Sequence, residues 1–189
     1  MKIKERLGKF WKFLKEDSWP SFLVSLVLAL IIIKFVFFPL LSLITGTGLP
    51  LVIVESCSMY HSMELDQIMA NRIYQDYGLD INDTKDWIFR NGFTKGDIIV
   101  VVGAKNVKVG DVVIFVAGQT NPIIHRVINI DSSGKYTTKG DNNLGLLSYE
   151  KSISSEQVVG KAVLKVPFLG WVKLIFFDWM KPENQRGFC

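Results

Sequence analysis

One apolar run constrains this chain more than any other feature. Phe22 to Ile44 reads FLVSLVLALIIIKFVFFPLLSLI, 23 residues with a single charge, Lys34. A helix rising ~1.5 Å per residue over that length crosses a hydrocarbon core of ~30 Å. A lysine near the middle costs roughly 2.5–3.5 kcal/mol on insertion scales. Snorkelling reduces that cost, and the surrounding Leu, Ile, Val and Phe outweigh it. Pro39 is expected to kink the helix. A cleavable signal peptide has a shorter apolar region of ~7–15 residues, ended by a small-residue cleavage site. The run therefore reads as an anchor over residues 20–46, with the lipid bilayer as its partner.

Charge placement gives the anchor a direction. Residues 1–19 carry six Lys/Arg (Lys2, Lys4, Arg6, Lys9, Lys12, Lys15) against Glu5, Glu16 and Asp17, so most of the net +4 sits in this basic tail. A basic tail beside an apolar run suggests anionic lipid before nucleic acid. The remainder shows no basic stripe with interleaved aromatics, which argues against nucleic acid as a partner. No Lys or Arg follows the run until Arg72. By the positive-inside rule the tail stays cytoplasmic and the rest of the chain lies outside, as a single-pass protein of the cell membrane.

The remaining residues are enough for one globular domain, expected over 50–180. Gly46, Gly48 and Pro50 end the helix, and Leu51–Val54 is a short strand. Residues 64–91 are mixed and read as a partly helical insertion. Beyond them β-branched runs dominate: Asp97–Gly103 (DIIVVVG), Asp111–Ala117 (DVVIFVA), Pro122–Ile130, Lys135–Thr138 and Gln157–Val166. Gly96-Asp97 and Gly110-Asp111 look like turns that launch two of these strands. The expected fold class is mainly β, a folded set of antiparallel sheets behind an N-terminal transmembrane helix. Residues 163–180 hold five aromatics and three charges. They suit either an interfacial surface or a last core strand with a short helix.

Three short segments could carry chemistry. Glu55-Ser56-Cys57-Ser58-Met59 follows a strand, where a small-residue turn can expose a hydroxyl; such a hydroxyl needs a neighbouring base. His125-Arg126 lies inside an apolar strand, and an imidazole suits base work near neutrality. Lys139-Gly140-Asp141-Asn142-Asn143 is first of all a turn, but its carboxylate could orient an imidazole. Cys57 and Cys189 are too few for a disulfide framework. No Cys/His cluster has zinc spacing, so chemistry without metal or cofactor is expected.

Taken in order, these segments resemble the type I signal peptidases, in their archaeal and endoplasmic-reticulum branch. The resemblance runs over about residues 20–172. It rests on the anchor, ESCSM at 55–59, TKGDIIVV and KVGDVVIF, HRVI at 125–128, KGDNN at 139–143 and VPFLGWV at 166–172. It implies a serine endopeptidase that removes signal peptides from preproteins at the outer membrane face, with the translocation channel as a neighbour. Ser58 would be the nucleophile, His125 the general base and Asp141 the acid supporting the imidazole. Ser56 would complete an oxyanion hole with the Ser58 N–H. Substrates would be extended peptides with small residues before the cut, bound by strand addition.

Three positions depart from the branch. Cys57 stands where glycine is common, and His61 where proline is common. Leu147 stands where a second aspartate is often found. Glu150 or Asp131 could therefore replace Asp141 as the acid, or the pair could act as a Ser-His dyad. Two other readings remain open: a thiol enzyme on Cys57 with His125, and a non-catalytic membrane-tethered β module that binds peptides of the secretion pathway.

Overall fold

The computed structural model describes residues 2–119 and 121–189. The chain divides into two compact units, Met1–Ile44 and Thr45–Cys189.

The first unit is helical. α1 (Lys2–Leu14) carries the basic tail. Ser18 then caps α2 (Trp19–Ile32), its side chain accepting from the Ser21 N–H, with Pro20 in the first turn. A π-turn over Ile33–Phe37 joins α2 to α3 (Phe38–Thr45). Pro39 lacks an N–H and cannot donate back along the helix. The π-turn immediately before it shifts the Phe38 N–H to the Ile33 carbonyl, which takes up the irregularity without ending the helix. Trp19–Thr45 is thus one continuous helix, long and apolar enough to cross a membrane.

The second unit is built on a six-stranded antiparallel sheet. Its strands are β1 (Leu51–Ile53), β2 (Ile98–Val102), β3 (Val112–Phe115), β4 (Ile123–Ile130), β5 (Tyr136–Lys139) and β6 (Val158–Val166), in the spatial order β1-β2-β6-β3-β4-β5. Each strand expected from the β-branched runs has its counterpart here. β3 is buried on both faces. Val112 and Ile114 join a cluster with Ile99, Val101 and Met59 on one side, while Val113 and Phe115 pack with Val127 and Ile153 on the other. This explains why VVIF is continuously apolar rather than alternating.

Two matching turns feed the sheet. Gly96 and Gly110 have φ of 91° and 93°, values that favour glycine. In each turn the following aspartate folds back: Asp97 accepts from the Thr94 N–H and Asp111 from the Lys108 N–H. A tryptophan covers each glycine. A Cβ at Gly96 would lie 2.1 Å from the Trp171 ring, and one at Gly110 would lie 2.3 Å from Trp87.

The segment before β2 is helical, with α4 (Leu65–Met69), α5 (Arg72–Asp76) and a 3-10 turn at Ile81–Asp86. After β6 comes α6 (Trp171–Phe177). Among the described residues helix exceeds strand, 39% against 19%, most of it in the N-terminal unit, so the antiparallel sheet is present but a mainly β class is not confirmed. The strands are in place, and the insertion over residues 64–91 is partly helical as expected. The two cysteines, too few for a framework, nonetheless bond to each other, Cys57 to Cys189.

Candidate active site

Ser58 and His125 come together because the sheet curls. β1 is an edge strand and β4 lies four strands away, yet the Ser58 Oγ and the His125 Nε2 are 3.0 Å apart. Ser58 lies just past β1 in a tight turn closed by the Tyr60 N–H donating to the Cys57 carbonyl. Met59 anchors this turn. Its side chain is buried in the core, and its carbonyl accepts from the Phe93 N–H. The Ser56 and Ser58 hydroxyls are 3.2 Å apart. Among the described residues no acceptor takes the Ser58 N–H.

His125 shares the face of β4 with Val127 and pairs in register with Val113. Its other ring nitrogen meets Glu150, with Nδ1 and Oε1 2.5 Å apart. The pair lacks the alignment of a hydrogen bond and is a close contact between the ring and the carboxylate. Glu150 is wholly buried and fixed by the backbone. It accepts from the Gly140 N–H at 3.1 Å and from the Leu147 N–H at 2.6 Å. Gly140 is required beside the ring, since a Cβ there would lie 2.9 Å from the His125 Nε2.

Asp141, expected behind His125, lies elsewhere. It faces the other side of β4, where the Arg126 Nε and Nη2 donate to its carboxylate at 3.0 and 2.7 Å. His61 Nε2 is 2.8 Å from its second oxygen, and the Tyr74 hydroxyl donates to the first at 3.1 Å. Burial alone would raise the pKa of Asp141. The Arg126 guanidinium and His61 overturn this and hold the carboxyl well below the usual range. Arg126, fully buried, also donates to the carbonyls of Ile88, Phe89 and Gly110, and the Trp87 ring covers it. Burial pushes the Lys139 ammonium down, while it donates to the carbonyls of Gly140, Asp141 and Asn143.

The KGDNN turn is thereby a fastening. Next to Asp141, the Asn142 N–H donates to the Ser58 carbonyl at 2.8 Å, and its side chain donates to the Cys57 carbonyl at 3.0 Å. Residues 139–143 thus tie the serine turn to the strand that holds the imidazole. Asp131, the other acid considered, accepts from Ser133 and Lys135 in the β4–β5 turn and takes no part in this cluster.

The sequence reading puts Asp141 first and Glu150 among the alternatives, and it is Glu150 that lies at the imidazole. A local signal was present. Glu150 is the third residue of a 3-10 turn and satisfies the N–H of Leu147, the residue that begins it. This is one half of a capping box, which faces the carboxylate inward. At position 147 this chain contributes a backbone N–H. The carboxylate arrives three residues later.

Ser58 and His125 open onto a groove of about 720 Å³. One wall is β1 with Glu55 and Ser56; the opposite wall includes Pro122–Ile124, Leu147 and Tyr149; Lys173, Lys181 and Gln185 line it as well. The Pro50 carbonyl accepts from Val101 of β2, and Val54 donates to Asp97 and accepts from Gly96 just before β2, so by alternation Leu51 and Ile53 direct their N–H and C=O groups outward along the sheet edge. Glu55 is bridged by Lys173 and Lys181, each at 3.2 Å. Partial burial works against it, but the two ammonium groups hold its carboxyl below the usual range.

A hydroxyl, an imidazole and a carboxylate in sequence are the parts of a base-assisted nucleophile. Among the described residues, no group of three or more His, Cys, Asp or Glu side chains is arranged to hold a metal ion. Comparison with family models and with curated proteins found no match to this sequence.

Proposed function

We propose that this protein is a membrane-anchored serine endopeptidase of the type I signal peptidase kind, acting on preprotein signal peptides through Ser58, His125 and Glu150. The observation that carries this reading is the 3.0 Å approach of the Ser58 Oγ to the His125 Nε2, with Glu150 at the other ring nitrogen, beside a groove walled by an open sheet edge.

The chemistry follows from those positions. Glu150 favours the tautomer with its proton on Nδ1, which leaves Nε2 free to accept the Ser58 proton. Ser58 attacks the scissile carbonyl, and the oxygen that gains charge is met by the Ser58 N–H and the Ser56 hydroxyl. Protonated His125 then gives its proton to the leaving amine. The mature chain departs, and water deprotonated by His125 releases the acyl group from Ser58.

The substrate would lie extended along β1 and bond to the outward backbone groups of Leu51 and Ile53. Val52, Val54 and Ile124 line the same groove with branched side chains, leaving room for small residues next to the cut. The apolar helix Trp19–Thr45 would hold enzyme and signal peptide in one bilayer, raising their effective concentration. The basic tail would keep the N-terminus cytoplasmic and the sheet unit outside. The bond between Cys57 and Cys189 leaves no thiolate for a cysteine mechanism.

The test is cleavage of a preprotein by the full chain in detergent or vesicles. Ser58→Ala and His125→Ala should each lower kcat by roughly 10⁴-fold or more while circular dichroism stays that of the parent. Cutting by Ser58→Ala at the parent rate would refute the proposal.

A further inference from the structure

The Cys57–Cys189 bond places a covalent link directly behind the serine turn. The Ser56 and Ser58 hydroxyls are 3.2 Å apart and both residues line the groove, whereas neither Cys57 nor Cys189 does. The disulfide therefore does not block Ser58. It fastens the C-terminal segment, residues 178–189, to the back of the turn.

That segment also reaches the front. Lys181 donates to the Glu55 carbonyl at 3.0 Å and pairs with the Glu55 carboxylate at 3.2 Å, and both Lys181 and Gln185 line the groove. Its other ties converge on Lys95. The Lys95 ammonium is 2.6 Å from Asp178 and donates to the Gln185 carbonyl at 2.6 Å. The Phe188 ring lies 4.4 Å from that of Trp171. Apolar burial adds little, since Trp179, Met180 and Phe188 are largely exposed. The buried Lys95–Asp178 pair holds the start of the segment, while beyond it little apolar surface is buried, so the disulfide carries much of the hold on its last residues.

We infer that the Cys57–Cys189 disulfide is a redox latch on this groove: while it is closed, the C-terminal segment forms a wall of the substrate site, and reduction releases that wall. This deepens the peptidase reading and rests on it. The disulfide acts as a positioning element, not a catalytic one. The serine turn is held independently of it by Asn142 and by buried Met59, so the Ser58–His125 pair survives when the latch opens. The chemistry balances with a dithiol reductant: the S–S bond breaks, two electrons and two protons make two thiols, and the dithiol closes to its own disulfide. The latch makes full activity conditional on an oxidising compartment.

The experiment compares full-length protein, oxidised and after dithiothreitol treatment, on a synthetic peptide spanning a signal cleavage site. Alkylation and mass measurement verify that both thiols are free. Reduction should raise KM at least fivefold and leave kcat within twofold. Cys189→Ser should match the reduced parent and not respond to dithiothreitol. Lys181→Ala, which leaves the disulfide intact, should raise KM in the same direction. An unchanged KM after verified reduction overturns the latch while leaving the peptidase reading standing, and so does a collapse of kcat at constant KM. Oxidised parent protein that cuts no peptide at all removes the peptidase reading instead. If Cys189→Ser does not fold, the reduced parent protein alone decides between these outcomes.

Discussion

Glu150 meets His125 at 2.5 Å, and both side chains are buried. Asp141, nine positions earlier, is committed instead to Arg126. The two acids therefore make different predictions. Glu150→Gln keeps the shape but has a single acceptor oxygen, so it can accept from the Gly140 or the Leu147 N–H and not from both, and it removes the charge that stabilises an imidazolium. It should lower kcat by roughly 10²–10⁴-fold, with a melting temperature that falls modestly because one buried N–H loses its acceptor. Steady-state cleavage alongside thermal denaturation checks both halves. Full activity in Glu150→Gln would remove Glu150 from the mechanism.

Asp141→Asn should fail differently, through stability and its dependence on pH. The folded carboxyl has a pKa depressed below its unfolded value of about 3.9. Its contribution is thus complete above that value and is lost as pH falls towards the folded pKa. At pH 7 the variant leaves Arg126 buried without its counter-charge, a loss of roughly 3–5 kcal/mol. Urea midpoints of parent and variant should be furthest apart near neutrality and converge below about pH 5. A gap that stays constant down to pH 3 would show that the ionised pair is not what Asp141 contributes.

The strands were legible because β-branched runs and Gly-Asp turns are local signals. The pairing of Ser58 with His125 was legible only through the order of several boxes, because contact across 67 positions leaves no local mark. Asp141 lies against Arg126 rather than His125 for a physical reason. Adjacent strand residues face opposite sides, so the acid that reaches Arg126 cannot also back His125. Glu150 was legible only as an alternative, because its position depends on a 3-10 turn of three residues, too short for any periodic pattern. The Cys57–Cys189 bond spans 132 positions, and two cysteines carry no spacing pattern that would reveal it.

Gly140 allows a test of geometry without changing any polar side chain. A methyl group there would lie 2.6 Å from the Asn143 amide and 2.9 Å from the His125 Nε2. Asn143 can swing away, but the imidazole is buried and would be pushed from Ser58. Gly140→Ala should therefore reduce kcat by at least about tenfold, since small displacements of aligned groups are costly. Its effect on the melting temperature should be smaller than that of Asp141→Asn. Unaltered turnover in the alanine variant would mean that the Ser58–His125 approach has slack to spare.

Ser56 tests the proposed charge stabilisation. Its hydroxyl lies 3.2 Å from the Ser58 Oγ and lines the groove. A donor placed there is needed most when the substrate carbonyl oxygen becomes negative, so its loss should appear in kcat rather than KM. Removing one such donor costs roughly 10²–10³-fold in kcat in enzymes that depend on it. Ser56→Ala should fall in or just below that range with KM within about twofold, because the Ser58 N–H would still serve as the other donor. Ser56→Thr keeps the hydroxyl and should recover most of the rate. A Ser56→Ala enzyme that differs only in KM would place Ser56 in substrate binding and leave the Ser58 N–H as the sole assigned donor.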